Sequence, residues 1–170
     1  MGLLKQINSD LHHCGSRSIH RKALTFLFNV SFRLTLNYRL GYYLAKRRNF
    51  IVNIILLYLK KRQLVKYGCD ISYQAIIGKN ISFPHPIGIV IGVGTVIGDN
   101  VKIWQHVTFG SKGEATMSYP NVKSNVKIFS SAQIIGGVTI GENAKVGAFS
   151  LVLKDVPDNA TAIGIPAKTK

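Results

Sequence analysis

Residues 89–109 read IVIGVGTVIGDNVKIWQHVTF. Small or branched side chains stand at Ile89, Thr95, Val101 and Val107, and a large apolar residue follows each two places later, at Ile91, Ile97, Ile103 and Phe109. The same pairing runs on in both directions. Ala75/Ile77 and Ile81/Phe83 precede it; Val126/Ile128, Ala132/Ile134, Val138/Ile140, Ala144/Val146 and Ser150/Val152 follow. A six-residue period suits neither the 3.6-residue turn of a helix nor the two-residue alternation of a hairpin strand. It is the signature of a parallel β-helix. Three hexads close one triangular coil, so the eleven pairs predict nearly four coils, mainly β, with both members of each pair pointing inward. Gly98-Asp99-Asn100 and Gly141-Glu142-Asn143 fall at corners, where Gly and Asn tolerate positive φ. The period does not fix the handedness of the coil.

Two departures from the period carry the functional reading. Between Phe83 and Ile91 the spacing is eight instead of six, and the two extra residues lie in Pro84-His85-Pro86. A solenoid that bulges to present a histidine has a use for that side chain, whose unperturbed pKa lies near neutral pH. The second departure is Gly110–Asn125, GSKGEATMSYPNVKSN, which lacks the repeat and reads as a long polar loop. An insertion that adds nothing to a core is usually functional.

The chain has 170 residues, 22 Lys+Arg against 7 Asp+Glu, and a formal charge of +15. The excess is uneven. Residues 1–69 hold 13 basic residues and a single acid, Asp10, for a net +12; the remainder carries +3. No nucleic-acid motif accompanies the charge, so a nucleic-acid partner is not expected. The basic residues of the first part alternate with long apolar ones, and residues 1–67 read as a basic, amphipathic helical region ahead of a solenoid domain at 68–170. Within it, 23–45 and 50–67 are the helical segments, joined by a turn at Lys46–Asn49. Charges interrupt both, and neither supplies the ~20 apolar residues of a membrane span. A cap over the open end of the solenoid and an anchor at an anionic membrane surface are both consistent with this pattern. His12-His13-Cys14 reads as a solvated terminus, since three neighbouring ligands do not close a tetrahedral metal site. Cys14 and Cys69 form no disulfide framework, and a reducing cytoplasm is expected; the anchor reading, as against the cap, would make the chain peripheral at the inner membrane face.

Three blocks stand in a familiar order: Phe83-Pro84-His85-Pro86-Ile87-Gly88-Ile89-Val90-Ile91-Gly92, Trp104-Gln105-His106-Val107-Thr108-Phe109-Gly110, and Asp155 to Ala167. Over about 68–168 the chain resembles the hexapeptide-repeat acyltransferases, in their serine acetyltransferase-like branch, whose fold is a left-handed parallel β-helix. Residues 1–67 resemble the short basic leader of capsule and exopolysaccharide acetyltransferases. The resemblance implies acetyl transfer from acetyl-CoA to a hydroxyl, no metal, His85 as catalytic base, Asp70 at the acceptor, and a homotrimer with shared active sites. For acetyl-CoA it implies Gly110, Ser111, Ser130 and Ala148 along the pantetheine arm and Lys145 near the nucleotide. The serine-specific pattern is incomplete. A carboxylate is replaced by Pro84, a glutamate by Val93, an arginine by Ser118 and a loop histidine by Tyr119. A zwitterion needs charged partners. The expectation is therefore a glycan hydroxyl on a surface polysaccharide, met by Gln105, His106 and Tyr119, with serine as the alternative acceptor.

Overall fold

The computed structural model describes residues 2–13, 18–47, 49–113 and 117–170. Four helices come first among these: α1 (Leu3–His13), α2 (Ile19–Phe28), α3 (Val30–Leu44) and α4 (Phe50–Tyr67). The predicted second helix matches α4. The predicted first one is split, because Asn29 is extended (φ −75°, ψ 109°) and its side chain accepts a hydrogen bond from Phe32 N at 2.9 Å, starting a new helix. The N-terminus is also more structured than expected. His12 and His13 close α1, His12 Nε2 lies 3.1 Å from Lys22 Nζ, and Cys14 falls outside the described residues.

The solenoid then winds in coils. The first holds β1 (Asp70–Ile71), β2 (Ile76–Ile77) and a bridge at Ser82. The second holds β3 (Val90–Ile91), β4 (Val96–Ile97) and β5 (Lys102–Ile103), the third β6 (Thr108–Gly110), β7 (Asn121–Val122) and β8 (Lys127–Ile128). The fourth holds β9 (Gln133–Ile135), β10 (Thr139–Ile140) and β11 (Lys145–Val146). The last holds β12 (Leu151–Val152), a bridge at Val156 and β13 (Thr161–Ile163), closed by antiparallel β14 (Lys168–Thr169). Three parallel sheets result. We call them the first (β1-β3-β6-β9-β12), second (β2-β4-β7-β10) and third (β5-β8-β11-β13, with β14) faces. The repeat thus begins one hexad before Ala75, at Cys69/Ile71, and runs to Ala162, longer than the eleven pairs suggested.

Register explains the core. Ile71, Ile91, Phe109, Ile134 and Val152 stack in one column; Ile103, Ile128, Val146 and Ala162 stack in another, and all are buried. At about 25 cal/mol per Å² of apolar area, such columns are the main source of stability. Asn80, Asn100, Asn125, Asn143 and Asn159 take the corner between the second and third faces, all at φ near +60°. Their amides link coil to coil: Asn80 Nδ2 donates to Asn100 Oδ1 at 2.9 Å, and Asn100 Nδ2 to Asn125 Oδ1 at 3.1 Å.

The long loop is shorter than the sequence suggested. Pro120 is buried at an inward position, its carbonyl accepts from Val96 N at 3.0 Å, and β7 follows at once. A proline among small and branched residues hid the return of the repeat. From Phe109 to Val122 is thirteen residues, one hexad plus an insertion of seven.

The helices close the first coil. Its outer-edge groups have no preceding coil to bond, and helix side chains take that place. Tyr38 Oη donates to Ala75 O at 2.6 Å, Gln63 Oε1 accepts from Ile71 N at 2.8 Å, and Ser31 Oγ accepts from Phe83 N at 3.1 Å. Arg39 donates to Ile77 O at 2.6 Å and to Gly78 O, while its Nε meets Asp10 Oδ2 at 2.9 Å. Asp10 Oδ1 in turn accepts from Asn80 N at 2.7 Å. Burial pushes the Tyr38 hydroxyl well above the ordinary tyrosine range, and lifts Tyr73 to about 12.

Candidate active site

The first face has two edges, and each carries one interruption of the repeat. At the edge shared with the third face, the chain leaves Phe83, bulges through Pro84 and His85, and returns to β3. Both bulge residues are exposed, and Ile87 N closes the turn on His85 O at 2.9 Å. No described side chain hydrogen-bonds the His85 ring. Pro84, which offers no polar side chain, supplies no orienting partner.

His106 packs against this bulge from the next coil. Its backbone N donates to Ile87 O at 2.9 Å, and its ring lies over Gly88 so closely that a Cβ there would stand 2.1 Å from His106 Nδ1. Gly88 also sits at φ +66°, so glycine is required twice over. Gln105 precedes His106, and its Oε1 is buried without a hydrogen-bond partner among the described residues. An unpaired buried acceptor is costly, and this one belongs to the residue next to His106. Backbone bonds set Ser130 and Ala148 above Gln105 along the same edge: Ser131 N donates to Gln105 O at 2.9 Å and Phe149 N to Ser130 O at 3.0 Å. Trp104 stacks on Phe129, ring centroids 4.8 Å apart, one place earlier in the same coils.

Lys145 lies on the exposed side of the third face, and it is not alone. Register places Lys102 beside Lys127 and Lys127 beside Lys145, all exposed. Adjacent strands are ~4.8 Å apart, and like charges in register repel. Lys102 and Lys127 were missed by motif reading, although each occupies the same hexad position as Lys145.

The other edge, shared with the second face, carries the seven-residue insertion. Gly110 pairs with Ile135, and Ser111 begins the loop. Tyr119 returns from the loop onto Gly92 and Gly94, where a Cβ would meet its ring at 2.5 Å in both cases. Between the edges a cleft of about 660 Å³ opens from α4 onto the first face, lined by Leu56, Leu57, Lys60, Asp70, Tyr73 and Val93. Asp70 is paired there with Lys60, whose Nζ also lies 3.4 Å from Ile71 O. Lys60 carries no motif, and only the contact of α4 with β1 reveals it.

The predicted residues therefore fall into two groups within one chain. His85, Gln105, His106, Ser130 and Ala148 share one edge; Gly110, Ser111 and Tyr119 share the other. Asp70 faces the cleft between them, and Lys145 stands apart on the third face. Among the described residues, no three His, Cys, Asp or Glu side chains gather as a metal site, and no helix is long and apolar enough to cross a membrane.

A family model described as bacterial transferase hexapeptide (six repeats) matches residues 119–154. The serine acetyltransferase of Haemophilus influenzae is 38% identical over 143 residues, which is 84% of this chain and 52% of that protein. The chain spans about half the length of the curated relatives it matches. Soybean serine acetyltransferase complexed with serine superposes on 99% of this chain with a TM-score of 0.86, at 35% identity, and 69% of that chain is covered. A serine acetyltransferase in complex with CoA gives 0.85 over 99% of this chain and 70% of its own, at 33% identity.

These likenesses correct two expectations. The superposition includes α1–α4, so the helical region matches helices of serine acetyltransferases, and the expected closeness to capsule and exopolysaccharide enzymes is not supported. With every relative named above a serine acetyltransferase, the reading of a surface polysaccharide as acceptor is overturned. That reading weighed four substituted positions; the match extends over the whole chain. The fold is a left-handed parallel β-helix, and the chain belongs to the hexapeptide-repeat transferase family, among the homologues of serine acetyltransferase.

Proposed function

We propose that the protein transfers the acetyl group of acetyl-CoA to the hydroxyl of serine, with His85 as general base. The observation that carries this reading is the two-residue bulge presenting an exposed, unbonded imidazole in a chain that superposes on serine acetyltransferase bound to serine. The serine oxygen attacks the thioester carbonyl, an ester bond forms, and the carbon–sulfur bond breaks. His85 takes the hydroxyl proton and returns one to the departing thiolate. Such a base contributes ~10²–10⁴ in rate.

Asp70 is suited to the acceptor's ammonium and the neighbouring Lys60 to its carboxylate. Gln105 Oε1, buried and unpaired, is suited to a donor on the bound substrates. Along the same edge Gln105, Ser130 and Ala148 form a column with two small side chains, open to a pantetheine arm, and Lys145 with Lys127 suits nucleotide phosphates. Gly110 and Ser111 belong to this reading only from the opposite edge. Two groups on opposite edges of one face make a complete site when a second copy docks its loop edge against the first copy's His85 edge. A homotrimer closes that contact head to tail. We place the reaction in the cytoplasm.

The test is release of CoA thiol from acetyl-CoA by the purified protein with and without L-serine, beside His85→Ala. Serine-dependent release that vanishes in the variant is expected. Release that is independent of serine, or unchanged in the variant, would overturn the reading.

A further inference from the structure

Asp10 is the single acid among residues 1–69, and it is 1% exposed, consumed by Arg39 and Asn80. The described outer surface of the four helices therefore presents no carboxylate. It presents apolar side chains instead. On α4, Phe50, Ile51, Ile54, Ile55, Tyr58, Leu64 and Val65 are exposed, as is Leu57 at the rim of the cleft. At 100° per residue they cover about half of the helix circumference, with Lys61 among them, over about 23 Å. On α2, Leu24, Phe26, Leu27 and Phe28 are exposed as well.

A shallow groove of about 310 Å³ lies between α2, α3 and α4, lined by Phe26, Leu27, Phe28, Arg33, Leu36 and Arg62. Arg33 is held there by its bond to Leu27 O at 2.9 Å. The Nε of Arg62 is buried and has no hydrogen-bond partner among the described residues. A guanidinium fork with an unused donor beside a second guanidinium matches the oxygens of a phosphate.

We infer that α2 and α4 dock the protein on an anionic phospholipid surface. Their aromatic and aliphatic side chains enter the acyl boundary, and Arg33 and Arg62 bind headgroup phosphates. Exposed apolar side chains flanked by cations are what an interfacial segment offers a bilayer. Neither helix is a span, so the chain lies on the surface. A second copy of the same face is the competing occupant, and charge argues against it. Self-docking would bring two carboxylate-free cationic surfaces together, and like charges across an interface are repelled. An anionic bilayer neutralises them. A nucleic acid would meet the charge but leave the apolar side chains of α4 uncovered.

Flotation of the full chain with vesicles of phosphatidylcholine, alone or mixed with phosphatidylglycerol, tests this. The protein is expected to float with the mixed vesicles, about tenfold less with the neutral ones, and less at about 1 M salt, where charge attraction reaches only ~3 Å. The triple variant Phe50→Glu/Ile54→Glu/Val65→Glu alters only exposed side chains and is expected to lose flotation while keeping its circular dichroism and acetyl transfer. Wild-type protein that stays unbound to mixed vesicles, or a variant that floats equally well, would sink the inference. So would a lipid-free variant of half the wild-type sedimenting mass, which assigns the face to a second copy. None of these outcomes depends on the acceptor of the transferase.

Discussion

The guanidinium of Arg39 and the carboxylate of Asp10, 2.9 Å apart and each 1% exposed, do together what a missing coil would have done. Arg39 serves the carbonyls of Ile77 and Gly78; Asp10 serves the N–H of Asn80. Replacing a buried ion pair by apolar residues is often neutral, whereas removing one partner costs ~3–5 kcal/mol. Here the pair also satisfies three backbone groups. Asp10→Ala should therefore lose about 3–5 kcal/mol, and Asp10→Leu/Arg39→Met should recover little of it. Urea denaturation of the two variants checks this. Recovery to wild-type stability in the double variant would reduce the cap to an ordinary ion pair.

His85 is exposed and unbonded, so its removal is a chemical change with little structural cost. His85→Ala should lower kcat by ~10²–10⁴ and shift stability by no more than about 0.5 kcal/mol. Paired kinetics and thermal melts separate the two effects.

Gly88 lets the His106 ring lie against the bulge that carries His85. Gly88→Ala places a Cβ 2.1 Å from His106 Nδ1 at φ +66°. A loss of about 1–2 kcal/mol with a fall in kcat is expected. Gly113→Ala is the control, since its φ of +76° is equally demanding and its Cβ meets no atom within 4 Å. It should lose stability without that fall.

Three positions test how the acceptor is held. Val93 lines the cleft with Asp70, and Ser118 and Tyr119 stand at the end of the loop. The combined variant Val93→Glu/Ser118→Arg/Tyr119→His restores ionisable groups that resemblance leads one to expect there. It should lower KM for serine by about tenfold, the worth of one charged hydrogen bond. An unchanged KM would mean that Lys60 and Asp70 already suffice.

Alkaline pH should loosen the cap. Desolvation raises the Tyr38 and Tyr73 hydroxyls above the ordinary value of 10.0, Tyr73 to about 12. An acid whose folded value is raised keeps its proton in the folded state after the unfolded chain has lost it. Stability is then fully present below pH 10 and falls as pH rises from about 10 to 12. Urea midpoints across that range should fall, and less steeply in Tyr73→Phe.

The hexad pairs located the solenoid because inward pairs must stack, and every one of the eleven pairs is buried. The His85 bulge was legible for the same reason, since two surplus residues cannot stack. The return of the coil at Pro120 was not, because proline is atypical at an inward position. Nor was the break at Asn29, where one capping side chain overrides a continuous apolar pattern. The cap itself rests on contacts such as Asp10 with Asn80, seventy residues apart, which no local period encodes. For the site, the residue types were readable but their grouping was not. Only the register shows that His85 and Tyr119 lie on opposite edges of one face, and that Lys60 reaches Asp70.

The cap gives the solenoid a direction. A stack of coils held only by neighbours frays from any uncovered end. Here the amino-terminal end is sealed by Tyr38, Arg39, Gln63 and Ser31, while β14 closes the last coil with two short strand residues. The coil that carries the His85 bulge is therefore braced on both sides, by the helices before it and by four stacked coils after it.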